Sequence, residues 1–226
     1  MRSVRSFLSL VFILLSLAPL SVRAASDDGA VDDDDVGTIL ILGDSLSAAY
    51  GMEIGESWPS LLQQRLDENG YTYRVFNSSI AGETTQGGVT RLPRLLERHE
   101  PAVVVVELGG NDGLRGLPLE VTRDNLSRMI RMSREAGAEV VLAEMRIPPN
   151  YGRSYTEQFN GTYTDLARAE GAILLPFLLQ DIALEPGLMM PDGIHPTADA
   201  QPLLLDRVWS VLLPLLRDGA DPKARM

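Results

Sequence analysis

The sequence predicts an α/β fold built on a parallel sheet covered on both faces. Two observations carry this. Short apolar runs of strand length occur at 38–42, 73–77, 102–108, 139–144 and 172–175. Stretches with helical spacing, at 58–69, 85–99, 118–136, 155–170 and 197–216, alternate with them. Strands alternating with helices imply right-handed βαβ crossovers, and these place the strands parallel.

Taken in order, the chain opens with Arg2 and Arg5, an apolar run from Phe7 to Leu20, and then Val22-Arg23-Ala24 before polar residues. A basic start, a short apolar core and small residues at a cleavage point read as a secretory signal peptide over 1–24. The run is broken by Ser9, Ser16 and Pro19 and falls short of the ~20 residues that span a bilayer. Residues 25–37 follow as an acidic linker, with Asp32 to Asp35 consecutive. A calcium loop there fails on its ligands. Setting Gly37 as the turn glycine leaves Val36 and Gly43 where oxygen donors are needed.

The first apolar run begins at Thr38. Ser57 and Pro59 open the first helix and Gly70 closes it, as helix-end chemistry requires. Pro93 falls inside the second helix, where a kink or break is expected. Pro118 opens the next helix and Gly137 ends it. The folded domain is expected over 38–217, with 218–226 a disordered tail.

Composition narrows the partners. Losing residues 1–24 removes three arginines and no acid, leaving 17 basic against 31 acidic side chains, a net charge of −14. Such a chain repels nucleic acid and anionic headgroups. It has no cysteine, which excludes disulfides, thiolate nucleophiles and lipid attachment at a cysteine. An exported chain without disulfides must stand on its core, as a domain of this size can. That suits a bacterial periplasm or secretion, with no stable membrane anchor after cleavage.

Ligands of parallel sheets bind beyond the carboxyl ends of the strands, so the residues just after each run matter most. They are Gly43-Asp44-Ser45, then Ser78 to Gly82, then Gly109-Gly110-Asn111-Asp112, then Arg146 to Tyr151. After the fifth run a longer segment ends in Asp192-Gly193-Ile194-His195-Pro196. A serine hydroxyl needs a neighbouring base to become a nucleophile, and histidine suits that task near neutral pH. Of the two histidines, His99 ends a helix, where a cation is ordinarily explained by the helix terminus. His195 lies three residues after Asp192, close enough for the carboxylate to hold Nδ1–H and leave Nε2 for Ser45. Donors for a developing oxyanion are available as the Ser45 N–H at a helix start, the backbone at Gly82 and the Asn111 amide. Each element alone has a plainer explanation. Ser45 could be an N-cap, Gly82 a turn glycine, and Asn111-Asp112 and Asp192-Gly193 loop punctuation.

Together, "GDSLS", "AGE", "GGND" and "DGIHP" resemble the four blocks of the SGNH (GDSL) hydrolases, from Thr38 to about Leu216. "ELGGNDGLRG", "IPPNYG" and "DGIHPTADAQP" are similar to the periplasmic thioesterase I/protease I/lysophospholipase and arylesterase subgroup. The resemblance implies a flavodoxin-like three-layer α/β/α fold with five parallel strands. It implies Ser45 as nucleophile, His195 as base, Asp192 as its orienter, and Ser45, Gly82 and Asn111 as the oxyanion hole. "AGET" departs from the subgroup's "SGDT" at Ala81 and Glu83, which bears on substrate preference alone. The Gly-x-Ser-x-Gly elbow of α/β-hydrolases is absent, because Ser47 takes the second glycine's place.

The expected protein is a monomeric exported serine esterase acting on small-molecule acyl esters and thioesters, without metal or cofactor. Two rivals are a carbohydrate O-deacetylase of the same family and a catalytically silent binding protein. Leu114, Leu117, Ile147 and Pro148 are expected to bind substrate in a trough for an acyl chain. Gly113 and Gly116 are expected to let the loop over 113–118, which follows Asn111, adjust.

Overall fold

The computed structural model describes residues 36–219. The expected signal peptide, most of the acidic linker and the last seven residues lie outside them. Five strands, β1 (Gly37–Gly43), β2 (Tyr73–Asn77), β3 (Val103–Glu107), β4 (Glu139–Ala143) and β5 (Ile173–Leu175), form one sheet. Its order is β2-β1-β3-β4-β5 and every neighbouring pair is parallel. Six helices connect and cover them: α1 (Trp58–Glu68), α2 (Thr85–His99), α3 (Gly110–Leu114), α4 (Leu119–Glu135), α5 (Arg153–Glu170) and α6 (Gln201–Gly219).

The two-residue period of a strand sorts the core into two layers. Ile39, Ile41, Val103, Val105 and Val141 face one side and pack with Trp58, Leu62 and Leu66 of α1 and Leu204, Val208 and Leu212 of α6. Leu40, Leu42, Val104, Val106 and Leu142 face the other, against Leu92 of α2, Met129 and Ile130 of α4, and Phe159 and Tyr163 of α5. The result is the three-layer α/β/α arrangement in the flavodoxin-like strand order.

Boundaries differ from expectation where tertiary bonds decide them. Gly37, assigned to the linker, begins β1, since its N–H donates to Thr72 O at 2.9 Å. α2 runs through Pro93 as a single element. Packing of Val89, Leu92 and Leu96 on the sheet offsets the one hydrogen bond that proline removes. α3, expected as loop, is one short stretch of helix that begins after Gly109, whose φ is 110°. α6 continues to Gly219, two residues into the expected tail.

Trp58 ties the serine loop to this frame. It is fully buried, its indole N–H donates to Leu46 O (3.1 Å), and its backbone N–H donates to Gln201 Oε1 of α6 (2.9 Å). Trp58→Ala is expected to cost about 3–5 kcal/mol in urea unfolding. Trp58→Phe should cost clearly less, because it keeps most of the packing and loses one hydrogen bond.

Candidate active site

β1 is the point where the strand order reverses: the chain leaves it for β2 on one side and later returns to β3 on the other. The segments after β1 and β3 therefore diverge above their carboxyl ends and leave a crevice. Ser45 follows β1 and Asn111 follows β3.

Ser45 does not start a helix, contrary to expectation. Residues 45–50 form successive turns, Ala49 takes a left-handed φ of 57°, and α1 begins only at Trp58. The carbonyls that a helix would use are taken by tertiary donors. Trp58 Nε1 holds Leu46 O, and Asn77 Nδ2 holds Ser47 O at 2.6 Å. Asp44 closes the first turn by accepting the Leu46 N–H at 3.1 Å on Oδ1, an Asx turn. A helix macrodipole thus plays no part at Ser45, and individual donors must do the work.

His195 is presented by a tight return of the chain between β5 and α6. Met190 N–H donates to His195 O at 2.8 Å, and Thr197 N–H donates to Leu188 O at 2.9 Å. Asp192 Oδ1 accepts the Ile194 and His195 backbone N–H groups at 2.9 and 3.0 Å. Asp192 Oδ2 lies 2.7 Å from His195 Nδ1, and His195 Nε2 lies 2.9 Å from Ser45 Oγ. The His195 backbone N–H first, then its ring, hold the Asp192 carboxyl down to about 2. Tyr50 stacks on the imidazole, with ring centroids 4.2 Å apart and planes at 29°. Sequence reasoning missed Tyr50, and nothing in a turn residue's spacing signals it. His99 lies at the end of α2, against Phe76.

The three expected oxyanion donors differ in state. Among the described residues, nothing accepts from the Ser45 or Gly82 N–H. Gly82 has φ of 78°, a conformation suited to glycine, and its carbonyl accepts from Arg115 Nη2 at 2.9 Å. The Asn111 amide donates to Asp44 Oδ2 at 2.9 Å and to Glu83 O at 3.0 Å. Both of its hydrogens are engaged, so an oxyanion must displace one acceptor. Asp112, next in sequence, anchors Asn111 from beneath: its carboxylate accepts from Thr85 N and Oγ1 at the start of α2.

A second acid that the sequence did not single out lies under the serine loop. Glu107, the last residue of β3, is fully buried, and Oε2 accepts Ser47 Oγ–H at 2.6 Å and Asp44 N–H at 3.1 Å. Burial first, then the charge of Asp44, hold its carboxyl well above the usual carboxylate range. Burial raises Asp44 to about 6, although the Leu46 N–H, Glu107, His195 and Asn111 each pull it down.

Beside Ser45 and His195 opens a cavity of about 390 Å³. Leu114, Ile147 and Pro148 line it as expected, with Met145, Phe177, Leu179, Met189 and Ile194. Leu117 does not. The chain turns away at Gly116, and Leu117 N–H bonds back to Asp112 O at 3.0 Å. Gly113 is not a flexible joint either. A Cβ there would lie 2.6 Å from Ile147 and 2.7 Å from Phe159, so this glycine permits close packing. Tyr151 Oη and Tyr155 Oη further pin the loop by donating to Leu114 O and Leu117 O, at 2.9 and 3.0 Å. Among the described residues no group of three or more His, Cys, Asp or Glu side chains could hold a metal. No helix among them is long and apolar enough to cross a membrane.

The GDSL-like Lipase/Acylhydrolase family model matches residues 41–202. Esterase TesA of Pseudomonas aeruginosa is 49% identical over 179 residues, 79% of this chain and 89% of that protein. Thioesterase 1/protease 1/lysophospholipase L1 of Escherichia coli K12 is 44% identical over 202 residues, 89% of this chain and 91% of that protein. A crystal structure of the psychrotrophic esterase EstA from Pseudoalteromonas sp., inhibited by monoethylphosphonate, superposes with a TM-score of 0.77. It is 42% identical and covers 80% of this chain and 99% of its own. With this fold, these strand-end blocks and these relatives, the chain belongs to the GDSL-like lipase/acylhydrolase family and is a hydrolase of ester bonds.

Proposed function

We propose that Ser45 attacks the carbonyl carbon of an acyl ester or thioester, with His195 as general base and Asp192 as its orienter. The observation that carries this is the unbroken hydrogen-bonded line from Asp192 Oδ2 through His195 to Ser45 Oγ. As the Ser45 Oγ–C bond forms, the hydroxyl proton passes to Nε2, and the carbonyl oxygen becomes an oxyanion. Asp192 holds the Nδ1 proton and stabilises the imidazolium. Tyr50 stacks on that ring and helps hold its plane. The Ser45 and Gly82 N–H groups, free of other acceptors, and one Asn111 N–H receive the oxyanion charge. Collapse expels the alcohol or thiol, which takes the proton from Nε2. Water, deprotonated by the same nitrogen, then releases the acid and frees Ser45. Asp192 stays ionised down to about pH 2, so loss of activity in mild acid belongs to other groups.

The substrate class follows from the cavity and the relatives. An apolar cavity of this volume beside the nucleophile suits an acyl chain, and the relatives' names include esterase, thioesterase and lysophospholipase. We infer that residues 1–24 direct export, so that the enzyme acts in the periplasm or outside the cell.

Ser45→Ala is expected to abolish ester hydrolysis and fluorophosphonate labelling while leaving the thermal unfolding transition in place. Labelling retained in the folded variant would show that another residue is the nucleophile. Absence of labelling in the parent would favour a silent binding protein.

Hydrolysis of p-nitrophenyl esters tests the acyl site. Each buried methylene is worth ~0.8 kcal/mol, or roughly fourfold in kcat/KM when bound in the transition state. Activity should climb several-fold from acetate to a medium chain and then level off. Ile147→Asp or Leu114→Asp should flatten the climb while sparing acetate. A parent profile that peaks at acetate would point to the deacetylase instead.

A further inference from the structure

The family reading uses Ser45, Gly82, Asn111, Asp192 and His195, and leaves a buried carboxyl unaccounted for. Glu107 pairs in register with Gly43, the last residue of β1. A Cβ on Gly43 would lie 2.5 Å from Glu107 Oε2 and 2.9 Å from Ser47 Oγ. The glycine that precedes Asp44-Ser45 is therefore the space into which the Glu107 side chain fits. From there Oε2 accepts from the residues on either side of the serine, Asp44 N–H and Ser47 Oγ–H, while Glu107 Oε1 is buried without a partner. Asp44, held from below through its own N–H, accepts Leu46 N–H and the Asn111 amide.

We propose that Glu107, in its neutral carboxylic acid form, is a positioning residue for the oxyanion donors: it fixes the Gly43–Asp44 peptide, one before the peptide that carries the Ser45 N–H, and the Ser47 hydroxyl beyond it, and through Asp44 it sets the Asn111 amide. The inference rests on the reading of Ser45 as nucleophile. Two adjacent buried carboxyls do not both ionise at little cost, and the pair divides the roles. Glu107, without any contact to solvent, keeps its proton. Asp44, which accepts two N–H bonds, carries the charge that holds Asn111. The other titratable groups acting on them come from two elements. His195, before α6, favours charge on Asp44. The Tyr163 phenol of α5 is kept neutral by burial first, then by the charges of Asp112 and Asp44.

The test compares Glu107→Gln and Glu107→Met in the full chain, with kcat and KM on p-nitrophenyl butyrate across pH and thermal unfolding of each. Glu107→Met leaves the buried Asp44 N–H and Ser47 hydroxyl without their acceptor, so its Tm should fall. At temperatures where it is folded, it should lose ~tenfold or more in kcat, with KM moving less than ~threefold. Glutamine reproduces the accepting oxygen and the neutrality of a protonated carboxyl. Glu107→Gln should rescue kcat to within ~threefold, with an acid limb of kcat/KM that overlays the parent's.

A folded Glu107→Met with parental kcat would overturn the proposal. So would an acid limb in Glu107→Gln displaced by about one pH unit or more to lower pH, since that would mean a charge had been removed beside Asp44 and His195. If the methionine variant does not fold, the glutamine profile decides alone. Phosphonate labelling of Ser45→Ala in parallel separates the two readings. Retained labelling removes the nucleophile on which this inference rests, whereas lost labelling with an unimpaired Glu107→Met removes the inference alone.

Discussion

Strand β1 is hydrogen-bonded on both edges, to β2 and to β3, and the chain leaves its carboxyl end in a direction that no neighbouring connection shares. Everything at the site depends on that. A parallel sheet requires every connection to cross back over a face, so the two connections flanking β1 go to opposite faces, α1 to one and α2 to the other. The gap between them exposes the strand ends. Into it the chain delivers a serine from β1, a glycine after β2, an asparagine after β3 and a histidine from the segment before α6.

Above that edge, the serine loop is held by bonds from distant residues. Trp58, Asn77 and Glu107 each bond a group of residues 44–47. A helix start would have supplied a diffuse positive field at Ser45. The extended turn instead leaves the Ser45 N–H uncommitted and aims it by fastening the peptides on either side. Preorganised donors of this kind are most effective where water is excluded, and the buried Glu107 and Asp44 occupy the space beneath, where water would otherwise bond the same groups.

Much of this was legible in the residues. The five strands fall within one residue of their expected bounds at every end, because apolar runs rich in valine, leucine and isoleucine have few other uses. Asp192 and His195 could be paired from their spacing. The rest depends on partners far away in sequence. Nothing local to "GDSLS" says that Trp58 and Asn77 will take the carbonyls a helix would need. Gly113 looked like a hinge because glycine is read by its freedom, and only Ile147 and Phe159 reveal that it is a close-packing position. Leu117 resembled Leu114 in composition and is turned aside by a single left-handed glycine at 116. Glu107 falls inside the apolar run 102–108, and its role depends on Asp44 and Ser47, which lie far off in sequence.

The central claim is that Ser45, His195 and three donors converge on one reacting carbonyl. It is tested most directly by a crystal structure of the enzyme after reaction with a fluorophosphonate. The phosphorus should be bonded to Ser45 Oγ, with its free oxygen about 2.7–3.1 Å from Ser45 N, Gly82 N and Asn111 Nδ2. Asn111 should then have released either Asp44 or Glu83 O. An adduct on another side chain, or a phosphoryl oxygen directed away from these nitrogens with Asn111 still holding both acceptors, would contradict the account.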